Sequence, residues 1–245
     1  MSALSIIIPC YNEEKRLPVE KVITFLKAKK NVRIIFVNDG SIDKTINLLQ
    51  YIQEKHPSGV GILSHDQKKG KAEAVRTGLL ESIKDLQQFN FHGFADADLS
   101  ISLDELYRLF EMIKTSGKKF ILGSRIKKIG ANIIRNEWRH FYSRIIATIV
   151  GSIIRLDVYD TQCSAKIFHS ELIPVVFTPP FKNKWLFDVE VICRINNEYH
   201  TLDAIGSEEP VLEWIEKKGS NLRWFHFFQI VKEVFILRKH YRKKK

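Results

Sequence analysis

The sequence predicts an α/β protein built on a mostly parallel, doubly wound sheet flanked by helices. Three observations predict it. Short β-rich apolar runs alternate with stretches of helical periodicity through the first half of the chain. Those runs are mostly continuous rather than alternating, as strands covered on both faces should be. Polar loops follow the strands, at the carboxyl ends where such sheets bind their ligands.

In order, Leu4–Pro9, Arg33–Asn38, Val60–Ser64, Phe91–Ala95 and Phe120–Gly123 are expected as strands. Glu20–Lys29, Thr45–Glu54, Ala72–Lys84 and Leu103–Lys114 carry helical spacing between them. Ser102-Leu103-Asp104-Glu105 spells a capping box for the last of these. Residues 126–136 are basic and irregular, and Glu137–Arg155 reads as a long helix, apolar in its second half. Ala165–His169 predicts a further strand and Phe187–Asn196 a further helix, while Tyr199–Ile205 and Glu208–Trp214 suggest a strand pair. Arg223–Arg238 has the pattern of an amphipathic helix. No repeat or low-complexity linker divides the chain. One catalytic domain over 1–215 is expected, with a helical, basic extension over 216–245.

Composition narrows the class. Hydrophobic residues at 44% and charged residues at 27% are ordinary for a globular protein. The formal charge of +11 is not, and Arg238, Lys239, Arg242, Lys243, Lys244 and Lys245 place six positive charges in the last eight residues. Such a tail favours an anionic partner, or serves only as a solvated terminus. Cys10, Cys163 and Cys193 have neither disulfide-framework nor zinc-site spacing, which fits a reducing compartment. The N-terminus enters an apolar strand at once, so no cleaved signal peptide is expected. The longest apolar stretch, Ile145–Ile154, is about half of the roughly 20 residues a spanning helix needs.

The loop Asp96-Ala97-Asp98-Leu99-Ser100 carries the sharpest chemistry. Side chains two apart on an extended segment project to one side, so Asp96 and Asp98 can aim both carboxylates at one point. Paired oxygens suit Mg²⁺ or Mn²⁺ shared with a ligand's phosphates. The same pair would equally suit a plain helix start. After the first strand, Pro9-Cys10-Tyr11-Asn12-Glu13-Glu14 offers Asn12, Glu13 and backbone groups to a ligand, or forms an ordinary turn. After the second, Asp39 can accept hydrogen bonds from a base or ribose, whereas Asp43 reads as a helix cap. Lys68-Lys69-Gly70-Lys71 is not a Walker A loop, yet a lysine at this helix entry can reach a phosphate or sugar oxygen. No G-x-G-x-x-G points to a nicotinamide cofactor.

These loops in this order resemble the family 2 glycosyltransferases: Ser5–Glu14, Val37–Thr45, Lys69–Gly78 and Asp96–Ser100. Gly123-Ser124-Arg125, Asp160–Lys166, Phe187-Asp188-Val189-Glu190 and Trp214–Ser220 narrow the likeness to dolichyl-phosphate β-glucosyltransferases and their bacterial polyprenyl-phosphate relatives. The resemblance implies a GT-A, Rossmann-like fold, a nucleotide-sugar donor, a lipid-phosphate acceptor and Mg²⁺ or Mn²⁺. It implies that Pro9, Tyr11, Asn12, Glu13 and Asp39 line the nucleoside pocket. Lys71, Asp96, Ala97, Gln162 and Lys166 complete the substrate site, with Asp98 the principal metal ligand beside Asp96. Ser100 stands where mannosyl relatives often carry Gln, which leans towards glucose and leaves the third metal ligand open. Cys163-Ser164-Ala165-Lys166 departs modestly from the family's Cys-Gly-Phe-Lys and keeps the lysine. Eukaryotic members usually carry an N-terminal membrane anchor, and none is expected from this sequence.

Hexose transfer from UDP-glucose to a polyprenyl or dolichyl phosphate, with inversion, is the expectation. An anionic phosphate is already a nucleophile and needs no base, so Arg125, Arg135 and Arg139 are expected to clamp it. Arg144 is a weaker candidate, and each of these arginines also suits a solvated surface. Asp188 separates this reading from its rival, since a glycan hydroxyl acceptor needs a carboxylate base. A basic nucleic-acid-binding module rests on charge and aromatics alone, with no supporting motif, so no nucleic acid is expected. The aromatic C-terminal helix and the arginine-flanked Ile145–Ile154 suit a cytoplasmic protein peripheral to a membrane, or pack on the core. The sequence leaves oligomeric state open.

Overall fold

The computed structural model describes residues 3–85, 89–127, 129–134, 158–215, 217 and 226–241. The expected stretch Glu137–Arg155, with Arg135, Arg139 and Arg144, lies outside the described residues, as does most of Trp214–Ser220. The first half follows the expected alternation: β1 (Leu4–Cys10), α1 (Val19–Ala28), β2 (Val32–Asp39), α2 (Thr45–Lys55), β3 (Val60–His65), α3 (Lys71–Ser82), β4 (Phe91–Phe94), α4 (Leu103–Ser116) and β5 (Phe120–Ser124). Then come β6 (Asn132–Ile134), β7 (Lys166–His169), α5 (Leu172–Phe177), α6 (Phe187–Tyr199), α7 (Leu202–Ile205), β8 (Gly206–Pro210), β9 (Glu213–Ile215) and α8 (His226–Tyr241).

Seven strands form one sheet in the order β3-β2-β1-β4-β7-β5-β8. All are parallel except β7, which runs antiparallel to both β4 and β5. The strands split their side chains between two cores. Leu4, Ile6, Ile8, Ile34 and Phe36 pack with α1, α2 and α4 on one face, while Ile7, Ile35, Val37 and Phe94 pack with α3, α6 and α8 on the other. The α8 helix buries Ile230, Val234 and Leu237 against α6 and turns Val231 and Phe235 outward, Phe235 being 61% exposed. Among the described residues, no helix is long and apolar enough to cross a membrane.

The strand pair suggested for Tyr199–Ile205 and Glu208–Trp214 does not form. Tyr199 ends α6, where His200 takes a left-handed φ of 61°, and Leu202–Ile205 is a single helical turn. The open edge of β5 recruits β8 in parallel register, and β9 leaves to pair with β6. Tertiary partners, not local pattern, decide both strands.

Candidate active site

The ends of β1, β2 and β4 bring three loops together. Pro9 sits in β1 without cost: Ile7, two residues earlier, bonds Ala95 beyond β4, and β4 has turned away by the level of Pro9. Asn12 then adopts φ 54° and locks the first loop to the second: its Oδ1 accepts from Ile42 N at 3.0 Å and its N–H donates to Ser41 Oγ at 3.1 Å. Glu13 N donates to Thr45 Oγ1 at 2.8 Å.

Asp39 lies at the end of β2 as expected and is almost fully buried. Its carboxylate is held by internal donors: His65 Nδ1 at 2.8 Å, Lys69 N at 2.8 Å and Gly70 N at 2.7 Å. His65 also meets Thr77 Oγ1 at 3.1 Å, so Asp39 anchors the Lys69–Gly70 entry of α3. Gly40, at φ +67°, lets the Gln67–Lys68 peptide pack directly over it; a Cβ there would lie 2.6 Å from Gln67 C. Lys68 Nζ sits 3.8 Å above the Tyr11 ring.

That anchored loop delivers Lys71 to the carboxylates. Lys71 Nζ lies 2.5 Å from Asp96 Oδ1. Burial works against both charges, but their mutual attraction outweighs it, raising the Lys71 pKa and lowering that of Asp96. Ala97 is buried beneath the loop. Leu99 takes φ 48°, sparsely populated for such a residue, so that Ser100 N donates to Asp98 Oδ1 at 3.0 Å. Asp98 Oδ2 receives Arg16 Nη2 at 2.6 Å. Burial pushes the Glu13 carboxyl up to about 7, with Arg16 pulling the other way and Asp98, Asp96 and Asp43 adding to the rise.

A second layer comes from β7 and α6. Lys166 is fully buried, donates to the carbonyl of Cys163 and pairs with Asp188 Oδ1 at 2.7 Å. Asp96, Lys71, Asp188 and Lys166 thus alternate in charge across the floor of the site. Arg125, after β5, forks onto Asp160: Nε to Oδ2 at 2.7 Å and Nη2 to Oδ1 at 2.9 Å. Burial opposes its charge, and the hydrogen bonds to Asp160 more than offset that, holding its pKa above the usual range. Its guanidinium also lies over Trp214, and Gln162 N meets Asp160 Oδ1 at 3.3 Å.

Of the residues expected at a site, the structure gathers Tyr11, Asn12, Glu13, Asp39, Lys71, Asp96, Asp98, Lys166 and Asp188. Arg125 has its fork taken by Asp160, which sequence reasoning left without a role. Arg16 and His65 were not picked out either, and Lys68 only as part of the Lys68–Lys71 helix entry. Arg16 is two residues beyond the first loop motif, and a lone surface arginine carries no signal until Asp98 is placed beside it.

The carboxylate oxygens of Asp96 and Asp98, with Glu13 behind them, are hard donors that suit Mg²⁺ or Mn²⁺. Among the described residues no three His, Cys, Asp or Glu side chains form a ready metal cage. The two-carboxylate set therefore suits a cation completed by phosphate oxygens and water.

The family described as Glycosyl transferase family 2 matches residues 5–176. A dolichyl-phosphate beta-glucosyltransferase of Dictyostelium discoideum is 29% identical over 256 residues, covering 97% of this chain and 74% of that protein. A Saccharomyces cerevisiae protein of the same name is 28% identical over 259 residues, covering 97% and 75%. Among solved structures, glucosyl-3-phosphoglycerate synthase of Mycobacterium tuberculosis with Mn²⁺, UDP and phosphoglyceric acid superposes with a TM-score of 0.69 at 16% identity, covering 99% of this chain and 80% of that one. Its complex with phosphoglyceric acid gives 0.71 at 15% identity, covering 98% and 80%. That likeness establishes the fold as GT-A.

Proposed function

The chain belongs to glycosyl transferase family 2, and on that premise we propose that this glycosyltransferase moves glucose, with inversion, from UDP-glucose to a polyprenyl or dolichyl phosphate. The observation that carries the reading is the Asp96–Asp98 loop, set at the carboxyl ends of the parallel strands with Lys71 drawn onto Asp96. The names of relatives matched along 97% of the chain support glucose and a dolichyl-phosphate acceptor.

In the proposed reaction a lipid phosphate oxygen forms the new bond to the anomeric carbon. The bond to UDP breaks on the opposite face, and UDP leaves with the electron pair. The phosphate, with a second pKa of about 6, is largely anionic at neutral pH and needs no proton removed. Pro9, Tyr11, Asn12, Glu13 and Asp39 line the nucleoside pocket, Asp39 by holding the Lys69–Gly70 backbone in place. Lys71 orients the donor, beside Ala97 and Gln162, and the buried Lys166 supports that floor from beneath. Asp98, with Asp96, would hold Mg²⁺ or Mn²⁺, which offsets negative charge on the departing diphosphate. Arg135 and Arg139 receive the lipid phosphate, and Arg125 fixes the Asp160–Lys166 segment through Asp160. Asp188, already held by Lys166, positions that lysine; a hydroxyl acceptor would need it as a base. Residues 1–215 form the catalytic domain. The outward Val231 and Phe235 of α8, flanked by Lys232, Arg238 and Lys239, meet the cytoplasmic membrane surface where the acceptor resides.

A donor screen tests this: radiolabelled UDP-glucose, GDP-mannose and UDP-N-acetylglucosamine, each with polyprenyl phosphate and Mn²⁺. Label should enter the organic phase from UDP-glucose and fail to do so with Asp98→Ala. Metal-dependent donor turnover with no lipid product would move the acceptor to a glycan hydroxyl.

A further inference from the structure

Asp98 has one oxygen committed and one contested. Oδ1 accepts from Ser100 N, so Oδ2 is the oxygen turned to a ligand, and Arg16 Nη2 holds it at 2.6 Å. The other arm of the same guanidinium, Nη1, stands 3.5 Å from Glu13 Oε1. Glu13 Oε2 is buried and lacks a hydrogen-bond partner among the described residues. A buried carboxylate oxygen without a donor is costly and invites one. Arg16 projects from the turn between β1 and α1 with its side chain 36% exposed, more open to a change of rotamer than a core side chain. One cation thus stands between two carboxylates, 2.6 Å from the first and 3.5 Å from the second.

We propose that Arg16 is a two-position counter-ion, pairing with Asp98 in the unliganded protein and moving onto Glu13 when a divalent cation takes Asp98. The inference rests on Asp98 being the metal ligand. Arg16 and the metal are mutually exclusive on Oδ2, because like charges at one oxygen repel strongly in a partly buried site. Glu13 makes the exchange possible, since a displaced guanidinium otherwise returns to water while Glu13 stays unpaired. Metal affinity is then set by the difference between two arginine pairings, and both residues act on it without being ligands.

Mn²⁺ titrated into the full chain, with free Mn²⁺ read by electron paramagnetic resonance in the presence and absence of UDP, tests this. Arg16→Gln should tighten Mn²⁺ binding by about tenfold, within the usual span of one coupling between sites. Arg16→Lys, which keeps a cation, should return most of the way to wild type. Lys15→Gln removes the same charge from the adjacent exposed residue and should shift affinity far less. Glu13→Gln should weaken binding in the wild-type background and have little effect in Arg16→Gln, the signature of a shared exchange. An Arg16→Gln shift no larger than that of Lys15→Gln, or Glu13→Gln acting equally in both backgrounds, overturns the proposal. Asp98→Asn separates the two readings: if it leaves Mn²⁺ binding intact, or if wild type binds none even with UDP, the metal assignment fails and the exchange falls with it.

Discussion

Lys166 Nζ lies 2.7 Å from Asp188 Oδ1, and both side chains are shut off from solvent. The pair joins β7, the antiparallel strand inserted between β4 and β5, to the first turn of α6. Its neighbour Asp96 then pairs with Lys71, so the reacting loop rests on a floor whose charges cancel. Breaking one partner of such a pair leaves the other buried and uncompensated. Lys166→Met should therefore cost about 3–5 kcal/mol of stability. Adding Asp188→Asn should recover a good part of that. Urea denaturation of the two variants decides it: equal midpoints would mean the ion pair is not what holds the strand.

The same pairing bears on the chemistry. With Lys166 on its Oδ1, Asp188 is placed to orient rather than to accept a proton. Asp188→Asn should keep much of any transfer to a lipid phosphate, while removing transfer to a sugar hydroxyl. Initial rates with both acceptors, on protein whose folding has been checked by its melting midpoint, measure the difference. Lipid-phosphate transfer at background in the folded variant would count against the base-free mechanism.

The C-terminal helix reaches back to that turn. Glu233 of α8 is buried and accepts from Trp185 N at 2.9 Å and Leu186 N at 2.8 Å, the backbone groups that open α6. Hydrogen bonds to a charged acceptor are each worth about 1.5–3 kcal/mol, and their loss strands two buried donors. Glu233→Ala should lower stability by at least about 2 kcal/mol on that scale and speed proteolysis between α6 and α8. Digestion at the wild-type rate would show that apolar packing by Ile230, Val234 and Leu237 holds α8 unaided.

Gly78 tests the other face of the site. A Cβ there would stand 2.5 Å from Ile7 Cγ2 and 3.0 Å from Val37 Cγ2, because α3 lies tight on β1 and β2. Alanine is the better helix former by about 1 kcal/mol, yet overpacking a filled core costs roughly 1–3 kcal/mol. Gly78→Ala should lower the melting midpoint and, by lifting α3, loosen Lys71 from Asp96. An unchanged midpoint would mean that Ile7 moves aside freely.

The core strands and helices of the first half were legible because each obeys a local rule: continuous apolar strands, 3.6-residue spacing, and a capping box whose Ser102 side chain accepts from Glu105 N. The loops that converge were legible too, since parallel sheets put every ligand loop at one edge. Partnerships were not. Nothing in Gly206–Pro210 announces that it will add to β5, and β9 is fixed by contacts such as Ile215 N to Ser100 O at 3.0 Å. Arg125 and Asp39 read as free ligands in one dimension, but each is bound by side chains or amides 26 to 35 positions away. Arg16 was invisible for the same reason, 82 residues from Asp98.

His92 gives the fold a pH limit apart from the active site. It is fully buried in β4 beside Ser82, and burial, opposed by the Phe89 backbone carbonyl and aided by His169, holds its pKa down to about 4 from 6.5. The folded state thus disfavours the protonated ring, and the unfolded chain takes up the proton first. Stability from the neutral ring is complete above pH 6.5 and is lost as the pH falls towards 4, by roughly 3 kcal/mol in all. Urea midpoints of wild type and His92→Gln, followed from pH 7.5 to 4.5, should converge as the pH falls, because only the wild type carries this loss. Curves that stay parallel would place the acid sensitivity elsewhere than His92.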